Sequence, residues 1–154
     1  MVVRVKFTLL ALMSIMLLMG GCSSTKLYKD VLAHNLEVNS KTDSVKTTLD
    51  IYSVGAQCAS EYLGTVALDR SSIELGIAME KPSYLIVGFA NSSFWSNSSG
   101  FISYDFTLLP REAFRYEADV SYIDDIYNVT VYEVSQFTGK KREMEAAELR
   151  NCRS

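Results

Sequence analysis

Phe114–Tyr122 reads FRYEADVSY, and its apolar residues fall on every second position. Phe114, Tyr116, Ala118, Val120 and Tyr122 alternate with Arg115, Glu117, Asp119 and Ser121. A period of two over nine residues puts one set of side chains into a core and the other into water, which only a β-strand can do. Tyr127, Val129 and Val131 repeat the pattern after Asp124-Asp125, a pair favoured in tight turns. Upstream, Ile102, Tyr104, Phe106 and Leu108 alternate with Ser103, Asp105 and Thr107, and Ser83–Ala90 (SYLIVGFA) is apolar almost throughout. That run predicts a central strand in which Gly88 marks a bulge or a close backbone approach.

Weaker strand candidates are Leu49–Val54, Glu61–Leu68 and Ser72–Met79. Turn residues punctuate them: Asp69-Arg70-Ser71, Lys81-Pro82, Pro110-Arg111-Glu112 and the Ser/Asn-rich Asn91–Gly100. Short strands spaced in this way predict an all-β domain, a single antiparallel β-sandwich over residues 47–154. The tail Lys140–Arg150 is rich in helix formers, and a last edge strand with a frayed or helical end suits it best. The chain has 154 residues, the size of one domain, and a net charge of −3 argues against nucleic acid as a partner.

The N-terminus follows different rules. Met1–Lys6 carries Arg4 and Lys6 with no acid, and Phe7–Met19 is apolar apart from Thr8 and Ser14. As a helix, thirteen residues rise about 20 Å, short of the roughly 30 Å needed to span a bilayer core. Residues 1–21 therefore read as an export signal. Leu18-Met19-Gly20-Gly21-Cys22 resembles the lipobox of bacterial lipoproteins. That resemblance implies cleavage before Cys22, acylation of its thiol and new amine, and anchoring in a membrane. By similarity to Gram-negative lipoproteins, Ser23 after Cys22 implies the outer membrane, with the domain facing the periplasm.

Residues 22–46 are polar with thinly scattered Leu, Val and Tyr, and predict a flexible tether. A short helix around Leu27–Leu32 is an alternative there. His34, the one histidine, is expected to be an exposed polar residue of the tether.

Two cysteines remain in the exported domain, and Cys58 with Cys152 is expected to form a structural disulfide. In the chain-entropy view it would add about 4–5 kcal/mol of stability. Neither has the His or Cys neighbours that a metal site or a catalytic thiol requires.

No Ser-His-Asp arrangement, phosphate loop or metal cluster is present, so a non-catalytic role is expected. Asp119, Asp124 and Asp125 are the one group that an enzyme or a glycan-binding module could use. Phe94 and Trp95, an aromatic pair inside the polar stretch NSSFWSNSSG, are the candidate partner contact. The competing expectation is that they fold back to cap the sandwich.

Leu109-Pro110 leading to Tyr116, then Tyr127–Val134, is similar to the closing hairpin of transthyretin-like and immunoglobulin-like sandwiches. In outline the chain resembles small, uncharacterised envelope lipoproteins of proteobacteria. The resemblance implies a binding or scaffolding role with an envelope protein as partner, or a subunit of a secretion or pilus assembly.

Overall fold

A computed structural model describes residues 25–42, 45–93 and 98–145, of which 92, 93, 98 and 99 are described by their backbone alone. Among the described residues, nine strands form two packed sheets. They are β1 (Leu36–Lys41), β2 (Lys46–Val54), β3 (Ser60–Ala67), β4 (Ser72–Leu75) and β5 (Ser83–Ser93), then β6 (Ser98–Leu108), β7 (Phe114–Ile123), β8 (Ile126–Ser135) and β9 (Lys141–Glu143). One sheet has the order β4-β1-β7-β8-β9 and the other β3-β2-β5-β6. All neighbours are antiparallel except β1 and β7, which run parallel with Leu36 opposite Tyr116. The expected β-sandwich is the fold.

The alternating residues meet between the sheets. Tyr116, Ala118 and Val120 of β7 and Val129 and Val131 of β8 face Leu49 and Ile51 of β2, Leu85, Val87 and Phe89 of β5, and Phe106 and Leu108 of β6. Each fully buried Leu, Ile, Val or Phe contributes roughly 1.5–3 kcal/mol by leaving water. Asp124 and Asp125 have φ of 52° and 63° between the paired residues Ile123 and Ile126. Both central residues at positive φ make the primed two-residue turn that matches strand twist.

The tether expected over residues 22–46 ends far sooner. β1 lies between β4 and β7 within its sheet, with Leu36 and Val38 in the core. Its inward positions include a polar residue, which masks the pattern. The buried Ser40 hydroxyl is satisfied by Thr42 Oγ1 at 3.0 Å and the Leu68 carbonyl at 3.4 Å. Just before β1, the buried Asn35 imitates a strand neighbour. Its Nδ2 donates to the Ile77 carbonyl, and its Oδ1 accepts from the Ile77 amide, both at 2.9 Å.

No helix forms at Leu27–Leu32. Instead Lys26–Tyr28 lies along β3: the Tyr28 amide donates to the Thr65 carbonyl at 3.0 Å, and the Thr65 amide to the Lys26 carbonyl at 2.8 Å. Gly64 makes this approach possible. A Cβ there would sit 2.5 Å from Tyr28 Cα and N, and its φ of +151° suits glycine alone. The register of β3 against β2 also shifts here, between Ile51 and Tyr52.

Gly88 marks neither a bulge, because β5 keeps continuous register with both β2 and β6, nor a close backbone approach, because the atoms that crowd it belong to side chains. The Phe101 ring lies over it, 3.0 Å from where a Cβ would be. At the C-terminal end Lys141–Glu143 is an edge strand, and residues from 146 onward lie outside the described residues.

Candidate functional site

Asn91–Gly100 is not a loop throughout. β5 and β6 stay paired through Asn91 with Gly100, Ser92 with Ser99 and Ser93 with Ser98, so only residues 94–97 join them. β2 reaches no further than Ala90, so the last three pairs form a two-stranded ribbon projecting past its own sheet. Phe94 and Trp95 lie outside the described residues, at the connection of this ribbon.

Below the connection, residues 100–105 of β6 are all exposed, with Phe101 at 68%, Ile102 at 47% and Tyr104 at 41%. β6 is an edge strand eleven residues long, carrying one charge, Asp105, and no proline. The Tyr84 hydroxyl donates to that carboxylate at 3.1 Å.

The remaining edges are guarded. Lys26–Tyr28 covers part of β3, which also carries a register shift. β4 has four residues and β9 three, with Lys141 on it. Short length, lysine, bulges and covering segments are the devices by which native sheets avoid pairing at their edges. Among the described residues β6 has none of them.

The three aspartates are not brought together. Asp119 lies on β7, where it accepts from Asn39 Nδ2 at 3.1 Å and faces Lys141 Nζ at 4.0 Å. Asp124 and Asp125 form the hairpin turn five and six residues further on, about 16 Å along the strand. The exposed Tyr122 hydroxyl donates to Asp125, and this bond, with desolvation and the nearby charge, pushes the phenol up to about 12. Two clefts, of about 90 and 520 Å³, are lined by none of the three. Among the described residues no His/Cys/Asp/Glu group is arranged to hold a metal ion.

A buried carboxylate that sequence reasoning passed over sits inside the sandwich. Glu133 is 5% exposed and shares the inward face of β8 with Val131 and Val129. The Arg111 guanidinium donates to one carboxylate oxygen and Arg142 Nη2 to the other at 3.0 Å, while the Tyr116 hydroxyl lies at 3.4 Å. That hydroxyl in turn accepts from the Arg111 amide at 3.1 Å, fastening the turn after Pro110 to β7. Burial pushes the Glu133 carboxyl up, but the two arginines outweigh it and hold it below the usual carboxylate range. The parity of Tyr127-Asn-Val-Thr-Val-Tyr-Glu133 places this glutamate inward, and that was the available signal. Its partners come from separate turns and strands, and the node is structural.

His34 is exposed as expected, yet it is engaged: Nε2 is 3.0 Å from Asp30 and Nδ1 is 3.4 Å from Glu74. Cys58 lies in the turn between β2 and β3, with φ of 58°. Its expected partner Cys152, like the acylation candidate Cys22, lies outside the described residues.

No family model matches the chain, and no curated protein does. Among solved structures it is similar to transthyretin from Sparus aurata, with a TM-score of 0.48 and 16% identity over 66% of this chain and 98% of that one. It is also similar to sea bream transthyretin in complex with thyroxine, with a TM-score of 0.45 and 15% identity over 63% of this chain and 93% of that one.

Proposed function

We propose that this protein is a lipid-anchored lipoprotein of the cell envelope, on the outer membrane and facing the periplasm, that works by non-catalytic binding or scaffolding. Its contact surface is the β5–β6 ribbon. The observation that carries this reading is the long, unguarded β6 edge bearing Phe101, Ile102 and Tyr104, next to a connection containing Phe94 and Trp95. Exposed apolar side chains beside unpaired strand amides and carbonyls fit a partner that adds an extended segment to the sheet. In the order β3-β2-β5-β6 this edge lies three strand spacings, about 14 Å, from the β3 side that the N-terminal segment covers.

A photoreactive residue in place of Trp95 or Phe101, in the lipidated protein inside cells, tests the reading. A discrete crosslinked band from both positions is expected, with none from a control at the exposed Phe137. Equal crosslinking from all three positions, or none, would overturn it.

The anchor is tested separately. Cys22→Ala is expected to leave the precursor uncleaved or to release the protein from membranes, and unchanged acyl labelling would refute acylation at that residue. The latch is proposed as Cys58–Cys152. With Cys22 assigned to the lipid, Cys152 is the one cysteine left to pair with Cys58. Thiol titration of the mature protein, unfolded without reductant, should find no free thiol. Two would remove the latch.

A further inference from the structure

We propose that Lys26–Leu32 is a second contact surface, seated on the lipid bilayer. Leu27, Val31 and Leu32 enter the boundary between headgroups and acyl chains, and Lys29 pairs with lipid phosphate. The inference rests on the acylation of Cys22 proposed above.

The first argument is reach. Lys26 is fixed, because its carbonyl accepts the Thr65 amide of β3 at 2.8 Å. Four residue steps separate it from Cys22, about 14 Å even when fully extended. A lipid on Cys22 therefore holds the β3 side of the domain at the membrane surface. A freely swinging domain would need the longer tether, and β1 has already consumed that length.

The second argument is what this segment displays. Leu27 is 74% exposed, Val31 83% and Leu32 44%, three large apolar side chains within six residues of a strap that turns Tyr28 and the Asp30 carboxylate towards the domain. Lys26 and Lys29 stand among them. Lys26 Nζ reaches the Tyr62 carbonyl at 3.0 Å, whereas Lys29 has no partner among the described residues. Large apolar groups with lysines beside them are the composition of segments that lie in a membrane interface.

The strap is also held in shape. Tyr28 Oη donates to the Gly76 carbonyl at 2.5 Å, and the Gly76 amide donates to Asp30 Oδ1 at 3.0 Å. The exposed side chains are thus presented by an ordered backbone, so little ordering entropy opposes their insertion.

The experiment uses the full lipidated chain in vesicles of phosphatidylethanolamine and phosphatidylglycerol, some carrying bromine on the acyl chains near the headgroups. Trp95→Phe removes the native tryptophan. Val31→Trp then places a fluorescent probe in the strap, and Ile126→Trp, at the far hairpin, serves as the control. The strap probe is expected to be quenched at least about twofold more than the hairpin probe, with blue-shifted emission, as interfacial burial requires. Equal quenching of the two would overturn the proposal. So would a blue shift without bromine quenching, because the strap would then be covered by protein, a second copy or another partner. The intact mass of the same sample reports acylation directly. An acylated protein with an unquenched strap probe loses the membrane face and keeps the anchor, whereas an unacylated protein loses both.

Discussion

Gly64→Ala is expected to lower the melting temperature by about 10–20 °C, corresponding to roughly 4 kcal/mol in a domain of this size. Two costs add. A φ of +151° is one that alanine adopts only under strain, on the order of 1–3 kcal/mol. The new Cβ would also lie 2.5 Å from Tyr28 Cα and N and 2.7 Å from Leu27 C. These are backbone atoms, which cannot swing aside. Relief requires the strap to lift from β3, losing the bonds between Thr65 and Lys26–Tyr28 and the Tyr28 contact with Gly76. Each such bond is worth about 0.5–1.5 kcal/mol net.

Gly88→Ala provides the contrast. Its nearest neighbours are ring-edge atoms of the exposed Phe101 and Thr48 Oγ1 at 3.2 Å, side-chain tips that can move. It should cost about 1 kcal/mol, as an ordinary packing adjustment does. Thermal unfolding followed by circular dichroism checks both, and hydrogen exchange at the Thr65 amide reports the strap directly. Equal melting temperatures for the two variants would show that Gly64 does not carry the strap.

Glu133→Gln should have the next largest effect, about 2 kcal/mol at neutral pH, and should flatten the acid limb of the stability curve. Removing one member of a buried ion pair can cost about 3–5 kcal/mol. Here Arg111 and Arg142 are half exposed and can turn to water, so the lower figure applies. The sign of the pH effect follows from the direction of the shift. The folded carboxyl is held below its ordinary value of 4.5. The ionised carboxylate therefore stabilises the fold above that value, and the contribution is lost as pH falls through the lower folded value. Between about pH 5 and 3 the wild type should lose stability faster than the glutamine variant. Urea unfolding at several pH values measures this, and parallel curves would mean that Glu133 titrates as an ordinary surface acid.

Several elements were legible in advance. β5, β7 and β8 and the core half of β6 alternate strongly because each buries one face, and Asp124-Asp125 announces its turn chemically. β1 was not, since two of its flanking or inward positions are the polar Asn35 and Ser40, whose partners include the Ile77 and Leu68 carbonyls more than twenty residues away. The ribbon at Asn91–Ser93 and Ser98–Gly100 was hidden for another reason. Serine, asparagine and glycine are poor strand formers, and each strand there exists because the other is opposite it.

The candidate surface divides in the same way. Phe94 and Trp95 stood out as aromatics in a polar stretch, whereas Phe101, Ile102 and Tyr104 belonged to an alternation that promises burial on one face. Nothing along the chain says that β6 is an edge. The grouping of Asp119, Asp124 and Asp125 was undone by strand geometry, which spreads neighbours in sequence along a line.

By itself, then, the sequence determined the fold class, the hairpin at Asp124-Asp125 and the expectation of export with acylation at Cys22. Those are properties of local period, turn chemistry and an N-terminal motif. Only the tertiary structure decided that the domain begins at the strap on β3, that Glu133 is a buried ion-pair node and that β6 is the edge left open. Each depends on which residues from distant parts of the chain lie opposite one another, and a period of two carries no record of its partner.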